Sequence, residues 1–178
     1  MNTFYRRITR AQIANAQPYN ILQGTSGTDY LGITTIPAGG LVPGTNLRFS
    51  AWGRLRTGDP PGTLAIAATL GPAGQPTVVA TGSVTLTADR ASDEWNLWSL
   101  LTVRTDGTGG TLVCNGFFLV SIPQPNFFGI GISDATNFWG KVFGVNTTVD
   151  NTIQIMATLS QGGVANILWV EQVIMETS

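Results

Sequence analysis

The sequence predicts an all-β protein: an antiparallel β-sandwich of the jelly-roll type with an extended N-terminal arm. Apolar side chains recur with a period of two almost everywhere, the spacing that turns one face of a strand to a core and the other to solvent. Clusters of Gly, Pro, Asn and Asp punctuate these segments at intervals of about 8–12 residues, as the turns of an antiparallel sandwich require. No stretch of ten or more residues carries a capped helical stripe, apart from a weak one over residues 5–16 with Ile8, Gln12 and Ile13. At 178 residues the chain suits one domain with an appended segment.

In chain order, residues 1–30 differ from the rest. They carry polar amides, Arg6, Arg7 and Arg10, Pro18 and a Gly24-Thr25-Ser26-Gly27-Thr28 tract without alternation, so they read as an extended arm before a sandwich over residues 31–178. Residues 46–56 form the first clear strand, with Leu47, Phe49, Ala51 and Leu55 on one face and Arg48, Ser50, Trp52, Arg54 and Arg56 on the other. Residues 63–70 repeat the pattern through Leu64, Ile66, Ala68 and Leu70 after the turn Thr57-Gly58-Asp59-Pro60-Pro61-Gly62, and the two segments are expected to form a hairpin. Further strands are expected over 77–81, 83–87, 94–104, 111–120, 137–143, 152–159 and 166–176. Asp106-Gly107 supplies the positive φ of a hairpin turn between the strands that flank it, and Gly162-Gly163 is expected to do the same for the last two strands.

Composition narrows function. Charged residues are 11% of the chain against about 25% in an average domain, with a formal net charge of −1. No field of that size draws nucleic acid or an anionic membrane, so neither is expected as a primary partner. There is no histidine, which removes Ser-His-Asp and Cys-His machinery and the commonest metal ligand. The single cysteine, Cys114, excludes an internal disulfide and a Cys-rich zinc site, and its apolar neighbours Val113 and Phe117 suit a buried, inert thiol. The first residues lack the apolar core of a secretory signal, and the uncharged runs at 60–88, 107–133 and 151–170 are broken well short of a membrane span. No cofactor is expected.

The only close acidic group, Asp89, Asp93 and Glu94, sits in an expected loop over 88–94, where carboxylates serve as turn formers and edge protectors more often than as a glycosidase pair. Asp29, Asp59, Asp106, Asp134 and Asp150 fall in turns without the alternating ligands of a calcium loop. Asn146-Thr147-Thr148 matches a glycosylation acceptor but lacks a secretion signal beside it. The Gly-rich 106–110 segment has no Lys-Ser/Thr or helix after it, as a phosphate loop would need. More informative is the outward face of the 46–56 strand. Arg48, Arg54 and Arg56 around Trp52 combine the two residue types most enriched at protein interfaces, the alternatives being a solvated face or a weak nucleic-acid groove.

The run FSAWGRLRTGDPPGTL at 49–64 and the run WNLWSLLTVRTDGTGGT at 95–111 resemble structural proteins of tailed bacteriophages, in particular the jelly-roll cement (decoration) proteins of capsids, with related fibre-head domains in the same style. The similarity covers residues 45–112 and, more loosely, 152–176. It implies a non-enzymatic virion component, made in the host cytoplasm, commonly a homotrimer, that binds the major capsid protein and clamps neighbouring capsomers. A receptor- or glycan-binding fibre module is the alternative, and a carbohydrate-cleaving enzyme a third. Exposed aromatic clusters such as Phe127-Phe128 or Phe138-Trp139 would favour the glycan binder, an arm gripping a neighbour the cement. The candidate subunit or capsid interface is Arg6, Arg7 and Arg10 on the arm with Arg48, Trp52, Arg54 and Arg56 on the strand.

Overall fold

The computed structural model describes residues 2–7, 11–14, 16–22, 35–73, 77–121, 125–130, 141–163 and 165–178. Those residues form strands and turns and no helix, so no helix is long and apolar enough to cross a membrane. In chain order the strands are β1 (Asn2–Arg7), β2 (Ala11–Ile13), β3 (Tyr19–Asn20), β4 (Thr35–Ile36), β5 (Asn46–Thr57), β6 (Thr63–Gly71), β7 (Thr77–Thr85), β8 (Arg90–Thr105), β9 (Gly110–Ser121), β10 (Pro125–Ile130), β11 (Lys141–Val145), β12 (Asn151–Leu159) and β13 (Ile167–Thr177).

They pair into two antiparallel sheets. The larger runs β1-β13-β5-β8-β9-β10, with β2 beside β1 on the edge of β13 and β11 beside β10 on the edge of β9. The smaller runs β3-β12-β6-β7, with β4 also on β12. This is a jelly roll. The outermost strands pair as β1–β13, the next as β3 and β4 with β12, then β5–β8, then β6–β7, as along one long antiparallel ribbon. Rolling that ribbon brings β13 onto β5 and β12 onto β6, which divides it between two facing sheets. Strands β9 to β11 are inserted before β12 and widen the larger sheet.

The period of two decides what lies between the sheets. Leu47, Phe49, Ala51 and Leu55 of β5 meet Leu64, Ile66, Ala68 and Leu70 of β6 and Ile153, Ile155, Ala157 and Leu159 of β12 in one buried core. Trp95 is its largest fully buried side chain, and its indole N–H donates to the Trp169 carbonyl at 2.9 Å. That contact depends on Gly53 between them. A methyl group there would collide with the Trp169 carbonyl and stand 2.7 Å from the indole nitrogen.

Several expectations are corrected. The 46–56 and 63–70 segments are not a hairpin: β5 and β6 lie in opposite sheets, because the connection between them crosses the sandwich. The same holds for β12 and β13 on either side of Gly162-Gly163. Residues 77–81 and 83–85 belong to one strand, β7, whose register shifts between Ala68 and Thr69 of its partner, and Leu86 and Thr87 lie beyond its end. The hairpin around Gly107, by contrast, is present as β8–β9, with φ at +97°. Where residues 5–16 are described, the expected helical stripe gives way to β1 and β2, which pair with β13.

The described part of the 1–30 segment is also not an arm standing off the sandwich. Its strands β1 to β3 include the first members of the roll, and Ile13, Ile21 and Leu22 are buried in the core. Polar composition hid this. Only every second residue of an edge strand needs to be apolar, and Asn20 is tied in by its amide oxygen, which accepts from the backbone N–H groups of Leu22 and Ile155.

Candidate functional site

The alternation that buries one face of β5 presents Arg48, Ser50, Trp52, Arg54 and Arg56 on the outer face of the larger sheet, as the sequence led us to expect. Register identifies their neighbours. Arg48 lies opposite Leu100 of β8 and Glu176 of β13; Ser50 lies opposite Trp98 and Ile174; Trp52 opposite Asn96 and Gln172; Arg54 opposite Glu94 and Trp169. One strand further on, Trp98 lies opposite Phe117 of β9, with Leu100 opposite Asn115 and Asn96 opposite Leu119.

These rows define an apolar centre with polar margins. Across β13, β5, β8 and β9 the central row reads Ile174, Ser50, Trp98, Phe117, and Leu100 and Leu119 flank it. The Trp98 and Phe117 rings stack at 5.9 Å between centroids and 19° between planes. Phe117 is 38% exposed and Trp52 40%, while Val142 of β11, opposite Val113 on the same face, is 59% exposed. At one margin the Arg48 guanidinium stands 3.7 Å from the Glu176 carboxylate. Toward the other, the Trp52 indole N–H donates to Gln172 Oε1 at 3.2 Å and that of Trp169 to Gln12 Oε1 at 3.4 Å. Trp98, Leu100, Leu119 and Ile174 are half-buried beside the exposed Phe117, so the face joins partly exposed apolar residues to a polar rim, a composition that contact surfaces share.

Of the other sequence candidates, Arg6 and Arg7 lie in β1, opposite Ile174 and Val173. Arg10, Phe138 and Trp139 lie outside the described residues, and Phe127 and Phe128 fall in β10, opposite Leu119 and Phe118. The acidic group does not converge. Asp93 is buried and takes three hydrogen bonds of 2.9–3.2 Å from the Arg90 guanidinium, whose pKa is raised by that bonding and by the carboxylate charge. Glu94, the next residue along β8, is exposed on the opposite face. The expected 88–94 loop is thus largely strand, and Asp93 is a buried structural partner instead of a solvated turn former. Asp150 accepts from the Ala38 N–H at 2.9 Å, bracing two loops.

Cys114 is buried beside the Ser99 hydroxyl at 3.3 Å, and burial pushes its thiol above its ordinary pKa. Such a thiol is a poor nucleophile at neutral pH. An apolar cleft of about 190 Å³ lies between Thr35, Ile36, Pro37, Gly40, Thr45, Leu47 and Thr177, below the roughly 300–1,000 Å³ of small-molecule pockets. Among the described residues no three acidic or cysteine side chains gather as a metal site would require.

The Trp98–Phe117 pair is what sequence reasoning missed. Phe117 follows Cys114 by three positions, an odd spacing that puts the two on opposite faces of a strand. Counting alternation outward from Asn115 would have placed it.

No family model and no curated protein matches the sequence. Among solved structures the chain is similar to the CBM2 module of the evolved Dit of Lactobacillus casei BL23 phage J-1, at 12% identity and a TM-score of 0.25, over 89% of this chain and 66% of that one. A likeness this distant transfers neither a site nor a ligand. What the geometry itself offers is an apolar sheet face on a jelly roll that the described residues leave partly exposed.

Proposed function

We propose that this protein is a non-enzymatic virion structural protein of a tailed phage, one that docks on the outer capsid surface and stabilises contacts between capsomers. The observation that supports it is the outer face of the larger sheet, whose centre is apolar and aromatic in a chain with few charges to keep such a surface wet. Desolvating a charge against a lattice is costly, and this face has its charges at the margins, where they remain hydrated. The jelly-roll topology agrees with the resemblance of residues 49–64 and 95–111 to capsid cement proteins. That resemblance also supports three copies of the chain per unit and the major capsid protein as partner.

A second reading rests on Trp52 and Trp169, which lie on the same face with Gln12, Gln172 and Asn96 around them. Indole rings flanked by amides suit the apolar faces and hydroxyls of sugars, so a glycan-binding fibre module is the alternative. Electron cryo-imaging of virions with this chain's density located separates the two. Density over capsomer junctions supports the cement role, density at a fibre tip the alternative, and absence from the virion contradicts both.

A further inference from the structure

We propose that the cleft between β4 and the ends of β5 and β13 is a socket for one large apolar side chain, presented by an extended, uncharged peptide segment of another protein that pairs with the free edge of β4. The site lies between the sheets and not on the larger sheet's outer face, so it stands or falls apart from the proposed capsid contact.

The cleft opens where the two sheets part. On one side stand Thr35 and Ile36 of β4 with Pro37 and Gly40 of the turn that follows. On the other stand Thr45, Leu47 near the start of β5 and Thr177 at the end of β13. Ile36 and Leu47 belong to the buried core, so an apolar group entering here extends that core. The volume of about 190 Å³ sets the size of the guest. An apolar cavity of roughly 150 Å³ holds one benzene ring, whereas pockets for drug-sized molecules begin near about 300 Å³. One leucine, methionine or phenylalanine side chain suits the space.

The neighbouring strand edge favours a peptide as the bearer of that side chain. Among the described residues β4 pairs with β12 alone. Successive residues of an antiparallel strand turn their N–H and C=O groups to opposite edges, so one of Thr35 and Ile36 offers a donor and an acceptor away from β12. An extended segment can pair there. Its alternate side chains face opposite sides of the sheet, and those on the inner side point into the gap that holds the cleft. Backbone pairing then supplies affinity and the cleft supplies selectivity, as in other cases of strand addition.

The lip is uncharged and already shaped. Residues 35–47 contain no Asp, Glu, Lys or Arg, so a charged side chain would lose its hydration here without a partner. Within the turn, Gly40 N–H donates to the Pro37 carbonyl and Thr45 N–H to the Val42 carbonyl, each at 2.9 Å. Gly39 N–H donates to the Thr147 carbonyl and Gly44 N–H to the Val103 carbonyl, also at 2.9 Å, which ties the turn to its neighbours. Little of the lip needs ordering on binding.

NMR titration of the methyl-labelled full chain with the peptide acetyl-Ser-Thr-Leu-Thr-Ser-amide tests this, alongside its Phe and Ala versions and toluene as a free apolar molecule. Thr35→Trp and Thr177→Phe narrow the cleft from either side, and Ala65→Trp, on the outward face of the smaller sheet, is the control. An unchanged methyl spectrum away from each substitution confirms folding. The expected result is saturable shifts of the Ile36, Leu47 and Thr177 methyls with the Leu and Phe peptides, and binding weaker by about tenfold or more with the Ala peptide. Amide exchange at Thr35 or Ile36 should slow with peptide and not with toluene. A folded cleft variant should lose about tenfold in affinity and Ala65→Trp none. The inference is overturned if no peptide gives saturable shifts, or if binding survives undiminished in both cleft variants. Shifts with toluene where the peptides give none would make the cleft a small-molecule site and overturn it too, as would shifts with protein concentration alone, which would put a second copy there.

Discussion

Gly53 is the residue on which the meeting of β5, β8 and β13 depends. Trp95 from β8 passes over it to reach the Trp169 carbonyl of β13, and no side chain fits in the space. Gly53→Ala is therefore expected to cost about 3 kcal/mol, read as a fall of roughly 10 °C in the thermal midpoint. Cys114 makes a second prediction. Burial raises its pKa above the ordinary 9.0, so the folded chain keeps a proton that the unfolded chain releases. Its contribution to stability is complete below pH 9 and is lost as the pH rises through the folded pKa. Denaturant melts from pH 7 to 10.5 should show the wild type declining relative to Cys114→Ala only above about pH 9. A thiol reagent at pH 7.5 should label the wild type only after unfolding. At this scale the sequence was informative about the outward face of β5 and silent on Gly53 and Arg90–Asp93, because both depend on which strands become neighbours.

The elements were legible in proportion to their alternation. Strands β5, β6, β8, β12 and β13 follow from apolar residues at every second position, and the β8–β9 hairpin follows from Asp106-Gly107. Their partners were not legible. A short loop rich in Gly and Pro joins hairpin strands and sheet-crossing strands alike, which is why β5–β6 and β12–β13 were expected to pair and do not. The N-terminal strands carry the least apolar sequence and were read as an arm, yet they complete both sheets. Removing residues 1–22 strips β13 and β12 of edge partners and takes Ile13, Ile21 and Leu22 from the core, at about 1.5–3 kcal/mol each. The truncated chain is expected to lose its cooperative thermal transition and to aggregate, whereas an arm could be removed without loss of the sandwich.

For the whole molecule, fold and proposed role meet in one surface. Rolling the ribbon puts its apolar strand faces into a shared core, and the larger sheet then retains a second apolar face that the described chain does not cover. The sequence signalled that face through its low charge and its tryptophans and singled out Trp52 on β5, whereas the stacked aromatic pair on the same face, Trp98 and Phe117, lies on β8 and β9. The most direct test is a photo-reactive phenylalanine analogue at position 117, irradiated in intact virions and compared with the same analogue at position 65. The account predicts crosslinks from position 117 to another copy of the chain or to the capsid protein, and few from position 65. Crosslinks from position 65 with none from position 117 would contradict it.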